Sequence, residues 1–463
     1  MEKIKIGYLP MYVKMYDDRN PRRRDHLVAY MEMLVETLER HGLEIIVADE
    51  VCRIKDEFDR TVCKFNDAGV AAVITQHLAY SPSLEAIDAL LNLKAPIIVF
   101  DTTPNYELLR SAAVENRISD NHGIHGVQDM CNLLRRNHKP YHICAGHIED
   151  GEVIHKVVRM CRAAALKQAY ETARIGSVGG NFPGMGDFLI SDERYKKEIG
   201  ADVLYMTPDV VSEYLRSVTE EDIDQELALD AEKYTIEVTF HEEYRAATRS
   251  GLAVRKWMDD HQLTGCSINF LTLDTCGLPK VPFTECCKIL GRGKGYAGEG
   301  DTLTAGLVGA LFTLYQDTTF TEMFCPDWEQ GVILLSHMGE SNPNLAQWKP
   351  IIQDKKFRHN TCGDTVAMYS CARAGQAFII NLAPMNDSFS LIICTGEMLD
   401  VGLEHGAYRY STQGWFKPSK PLPQFLEEFS LAGGTHHSAL VYRADLDELR
   451  AFGQMMGFDV IVI

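Results

Sequence analysis

At 463 residues, 46% of them hydrophobic and 24% charged, the chain exceeds the length at which one core keeps growing, so two or three well-packed domains are expected. Its 65 acidic against 46 basic residues give a formal charge of −19, which repels nucleic acid and anionic membranes and excludes both as expected partners. Thirteen cysteines, an odd number scattered from Cys52 to Cys394 without a C-x-x-C pair, read as reduced thiols of a cytoplasmic protein rather than as a disulfide framework or a thiolate metal site.

The chain opens with "MEKIKIGYLP", a lysine-flanked strand with no apolar signal-like segment behind it. No run of about 18 apolar residues follows anywhere, so neither export nor membrane spanning is expected. The run "NPRRRD" reads as a solvated loop leading into a helix capped by Asp25. Over residues 1–170, apolar runs such as "KIKIGYL", "EIIVAD", "AAVITQ", "APIIVFDTT" and "YHICAG" alternate with amphipathic helical stretches, the pattern of βαβ units around a parallel sheet. Ligands of such sheets gather at the carboxyl ends of the strands.

A long helical stretch, "EVIHKVVRMCRAAALKQAYETA", leads into the glycine-rich "RIGSVGGNFPGMGDF" and a second α/β domain over 171–320. There "EEDIDQELALDAEKY" and "EEYRAATRSGLAVRKWMDDHQ" read as helices and "CSINFLTL" as a strand. From 321 to 463 the period shifts towards two, in "GVILLSHM", "DTVAMYSCARAGQAFIINLAP" and "SFSLIICTGEML", before a final helix and the strand "DVIVI". The expected fold is α/β: two parallel-sheet α/β domains followed by a mainly antiparallel, β-barrel-like C-terminal domain.

The stretch "GYAGEGDTLTA" places Glu299 and Asp301 among glycines ahead of a helical pattern. Gly293, Gly295 and Gly298 satisfy G-x-G-x-x-G, but the segment before them reads as helix and two carboxylates stand where a pyrophosphate must approach, so a dinucleotide cradle is rejected. Asp301 suits a helix N-cap, for which Glu299 is not needed. Downstream, Glu322 in "FTEM", His337 in "LLSHMGES" and His436 and His437 in "LAGGTHHSAL" each have an ordinary structural reading when taken singly. As a set, two carboxylates and two imidazoles in glycine-marked or strand-end settings make a mixed oxygen and nitrogen site suited to Mn²⁺ or a similar divalent ion.

These segments, "GEGD" before a helix, "F-x-E", "SHM" and "GGTHHS", resemble in order and spacing the L-arabinose isomerase family, within the wider arabinose/fucose isomerase fold. "LAYSPSLEAIDALLNLKAPIIVFDT", "NHGIHGVQDM" and "CAGHIED" extend the resemblance over nearly the whole chain. The resemblance implies that Glu299 and Glu322 bind the metal and serve as acid and base, and that His337 and His437 complete the ligand set. It puts His125, Tyr80, Phe270 and Met185 at substrate-contact positions, with His436 as a secondary active-site residue. It also implies a homo-oligomer, trimer or hexamer, in which the first domain of one chain covers the metal site of another. Two departures stand out: "GYLPMYVKMYDD" lacks the family's G-S-Q-x-L-Y-G signature, and His122 stands where the family has glutamine.

The implied activity is isomerisation of a free aldopentose or aldohexose, an L-arabinose-like sugar, through an enediol. Two other readings use the same features. A non-catalytic sugar-binding module explains the sheets but gives the Glu299, Glu322, His337, His437 set no role, and a metal-dependent hydrolase or aldolase would use that set without conserving substrate mass.

Overall fold

The computed structural model describes residues 3–358, 362–401 and 413–463 and resolves into two compact units, Met1–Gln168 and Ala169–Ile463. The first unit holds strands β1 (Ile4–Met11), β2 (Leu43–Val47), β3 (Ala72–His77), β4 (Ile97–Asp101) and β5 (Tyr141–Ala145). They form one all-parallel sheet in the order β2-β1-β3-β4-β5. Every residue of β3 is buried, as a central strand covered on both faces requires. The covering helices are amphipathic; Asp25–Arg40 buries Leu27, Met31, Leu34 and Leu38, one stripe of its surface.

The second unit begins with strands β6 (Arg174–Val178), β7 (Asp202–Tyr205), β8 (Thr235–Glu237), β9 (Gly265–Ile268) and β10 (Gly295–Gly298). Its parallel sheet runs β10-β9-β6-β7. It continues with β11 (Thr318–Asp327), β12 (Val332–Ser336), β13 (Ile351–Lys355), β14 (Thr365–Tyr369), β15 (Gly375–Pro384), β16 (Phe389–Met398), β17 (Gly414–Pro418), β18 (His437–Tyr442) and β19 (Asp459–Val462). Six of these close an antiparallel barrel, β15-β18-β11-β12-β17-β16, with β16 pairing back onto β15. Closure leaves those six strands without an open edge. The last strand, β19, adds to β16 in parallel, and β14-β13-β8 make a separate small sheet. Ile379, Ile392, Phe416, Phe425 and Leu440 belong to the buried apolar cluster of the barrel region.

Two sequence expectations change. "CSINFLTL" is a strand only as far as Ile268, because the Asn269 side chain accepts the N–H of Leu271 and turns the chain into a 3-10 helix, Phe270–Thr272. "NPRRRD" is a 3-10 helix, Pro21–Arg24, whose capping side chain is Asn20; Asp25 is the first residue of the next helix, which has no side-chain cap. Its arginines are not simply solvated, since Arg24 pairs with the buried Asp17 and Arg23 bonds Ser119. All thirteen cysteines are free, and among the described residues no helix is long and apolar enough to cross a membrane.

The second unit also contains a largely buried charge network. Arg255 holds Glu226 through two bonds of 2.7 and 2.8 Å and also pairs with Glu285, while Lys288 bridges Glu226 and Asp230. Replacing Arg255 by alanine leaves Glu226 and Glu285, whose side chains are only 9% and 4% exposed, with one cation each, Lys288 and Arg292. The expected loss is about 2 kcal/mol of stability, read as a lower denaturant midpoint, against under about 1 kcal/mol for breaking the exposed Lys14–Asp18 pair.

Candidate active site

The site grows from the turn between β10 and the helix Thr302–Phe312, at the carboxyl end of a parallel strand. Glu299 has φ +62° and Gly300 φ +82°, so the chain reverses through two left-handed residues. The Glu299 N–H donates to Ile268 O and its carbonyl accepts from Phe182 N at 3.1 Å, which fastens this unusual backbone on both sides. The flanking glycines are required sterically. A Cβ on Gly298 would lie 2.5 Å from Cε1 of His337, and one on Gly300 would lie 2.3 Å from the carbonyl oxygen of Gly180.

His337 follows the end of β12 and His437 opens β18. Both are buried, and together with Glu299 they bring one ligand atom each to within 4.8 Å of one another. Each imidazole is braced through Nδ1: His337 by Glu340 Oε2 at 2.8 Å, and His437 by Asp301 Oδ2 at 3.0 Å. Asp301 is therefore used twice, because its other oxygen accepts the Thr304 N–H at 2.8 Å and caps the helix. Asn381, fully buried in β15, donates to the His437 carbonyl at 2.7 Å and steadies the start of β18. Phe320 sits edge-on to both imidazoles, at 5.0 and 4.9 Å between ring centres.

With both Nδ1 atoms engaged, the Nε2 atoms turn inward. That of His337 is 3.9 Å from Glu299 Oε1, and that of His437 is 3.4 Å from Glu299 Oε2 and, although buried, has no partner in hydrogen-bond geometry. Carboxylate-braced imidazoles presenting the opposite nitrogen, beside a carboxylate and without thiolate, are a donor set that fits a divalent cation. Glu322 lies on β11 opposite His437 of β18 and Ser336 of β12, beside these three residues but outside their 4.8 Å group.

The charges divide the two glutamates. Burial raises both, but the contacts of His436 and His437 more than offset it at Glu299 and hold that carboxyl well below the usual range. At Glu322 burial prevails over the attraction of His337, His437 and His436, and the carboxyl is raised. Burial lowers His337, yet Glu340 outweighs it and the imidazole is raised.

Of the other sequence candidates, His436, Phe270 and Met185 also lie in the second unit. His436 is next to His437, with ring centres 4.2 Å apart and its Nε2 3.5 Å from Glu299 Oε2. Phe270 is buried edge-on against Phe182 and Phe357, and Met185 is half-buried in the loop after β6. Tyr80 and His125 lie in the first unit, stacked at 4.8 Å beyond the carboxyl end of β3. His122 packs on His125 and meets the Tyr16 hydroxyl at 3.0 Å. Sequence reading missed Glu340, although the spacing of three residues from His337 was a usable signal, and it missed the second use of Asp301, which no local pattern reveals.

Family models of the L-arabinose isomerase N-terminal, central and C-terminal domains match residues 26–172, 194–317 and 317–459. Fold, site and matches define the class first: an aldose–ketose isomerase, an intramolecular oxidoreductase acting on sugars. The chain belongs to the L-arabinose isomerase family. It is 26% identical to the L-arabinose isomerase of Aeromonas hydrophila, over 83% of this chain and 79% of that one. The enzymes of Clostridium beijerinckii and Geobacillus stearothermophilus are each 24% identical, over 93% and 94% of this chain and 89% and 92% of theirs. A solved periplasmic solute-binding protein from Actinobacillus succinogenes with bound D-allose is 10% identical over 67% of this chain and 91% of that one, with a TM-score of 0.18, too low to carry any argument.

Proposed function

We propose that the protein is a metal-dependent isomerase of a free aldopentose or aldohexose resembling L-arabinose, with Glu299, Glu322, His337 and His437 holding a divalent ion, Mn²⁺ by donor type. The observation that carries this reading is the convergence of Glu299, His337 and His437 within 4.8 Å with both imidazoles braced by buried carboxylates. Such an ion supplies Lewis-acid polarisation of the substrate's carbonyl oxygen. The protein's own part is proton transfer. One of Glu299 and Glu322 takes the C2 proton of the aldose while the other supplies a proton to O1, giving a cis-enediol. Return of a proton to C1, with loss of the O2 proton, completes the ketose.

The substrate contacts are assigned to Phe270, Met185 and His436 of the second unit and to Tyr80 and His125 of the first. The oligomer is a trimer or hexamer in which the first unit of one chain serves the site of another, and the enzyme works in the cytoplasm. The test is a ketose-formation assay over a panel of free aldopentoses and aldohexoses, on metal-stripped protein before and after adding Mn²⁺. Turnover restored by Mn²⁺ on one sugar is the expected result; stoichiometric Mn²⁺ binding with no turnover on any sugar refutes it. Solvent deuterium should enter the product at the reacting carbon, whereas complete retention of the substrate hydrogen requires a hydride shift.

A further inference from the structure

In the glycine-rich loop that leaves β6, residues 179–188, Phe182, Asp187 and Phe188 converge on Glu299 and the paired histidines. Phe182 N donates to the Glu299 carbonyl at 3.1 Å. The Phe188 ring lies parallel to His437, 8° apart at 5.1 Å. Asp187 Oδ2 accepts the backbone N–H of His436 at 2.9 Å and meets its Nδ1 at 2.7 Å. That arrangement turns His436 Nε2 towards Glu299 Oε2, the oxygen that also faces His437 Nε2. His436 is 32% exposed, so burial alone does not set the orientation of its ring.

We propose that Asp187 is a positioning residue: it fixes the ring of His436 so that Nε2 faces Glu299, and the 179–188 loop thereby sets the rotamer of the carboxylate that handles the substrate proton. One oxygen holding both the backbone and the ring of His436 leaves that imidazole a single orientation, as the aspartate of a catalytic triad does for its histidine. The assignment rests on the proposed isomerase reading, because only there does the orientation of Glu299 matter to a reaction.

The test uses Asp187→Ala, Asp187→Asn, His436→Ala and the Asp187→Ala/His436→Ala double variant. Asp187→Ala is expected to lower kcat by about 10- to 100-fold with KM changed less than about twofold. Because Glu299 is also a proposed metal ligand, Mn²⁺ affinity, measured by calorimetry, should fall as well, by no more than about 10-fold. Asp187→Asn, which keeps an acceptor oxygen, should recover part of the loss, and the double variant should be no slower than His436→Ala alone. A kcat within about twofold of wild type in Asp187→Ala, or losses that multiply in the double variant, overturns the proposal. If the wild-type protein turns over no sugar, the isomerase reading is what fails. Crystal structures of the wild type and Asp187→Ala then decide the positioning claim separately: the His436 ring must turn away from Glu299 in the variant, and an unmoved ring overturns the claim.

Discussion

Glu299→Gln and Glu322→Gln should each lower kcat by at least about 10²- to 10⁴-fold while the thermal midpoint and circular dichroism stay close to wild type. Glutamine keeps the shape and an acceptor oxygen but not the charge or the ability to carry a proton away. At Glu299 the loss is compounded, since its two oxygens face His337, His436 and His437 at 3.9, 3.5 and 3.4 Å and a neutral amide there weakens the metal set as well. Glu299→Gln should therefore lose Mn²⁺ affinity together with kcat. Glu322, outside the three-residue group, should lose mainly kcat. Steady-state kinetics and metal titration of both variants distinguish these outcomes, and a variant that retains near wild-type kcat removes that glutamate from the acid–base pair.

The second large effect is expected from a single methyl group. Alanine at Gly298 puts a Cβ 3.1 Å from Nε2 and 2.5 Å from Cε1 of His337, the latter closer than any side-chain contact permits. His337 cannot swing aside freely, because its Nδ1 is tied to Glu340 and Phe320 closes its edge. Gly298→Ala should accordingly displace a candidate ligand with the barrel intact, lowering Mn²⁺ affinity about 10- to 100-fold, as does disturbing the support of a metal ligand. Equilibrium metal titration with a denaturation curve on the same sample reads both quantities. Unchanged affinity would mean that His337 is not a ligand.

Both predictions concern residues that stand in the sequence in "GEGD", "F-x-E" and "SHM", and there the sequence alone already spoke clearly. βαβ alternation and the later period-two runs determined the order of two parallel sheets and an antiparallel β region, because hydrophobic periodicity follows directly from which face of each element is buried. Glycines around Glu299 signalled a sharp turn, and Asp301 a helix cap, because those demands are met within a few residues of chain. The four candidate ligands could be named, though not their distances.

Tertiary structure decided the rest. "CSINFLTL" stops as a strand after Ile268 through one side-chain bond from Asn269, a local competitor that outweighs apolar periodicity. That the β region closes into six strands depends on β15 meeting β16, a pairing of neighbours whose register places Gly375 opposite Met398. The carboxylates that orient the histidines come from unrelated distances, Glu340 three residues from His337 but Asp301 136 residues from His437 and Asp187 249 residues from His436. Composition and spacing thus determined which chemical groups this protein owns. Only the packing of the β10 turn against β12, β18 and the loop after β6 decided which of them share one site, since long-range contacts arise from how buried surfaces fit and leave no periodic trace along the chain.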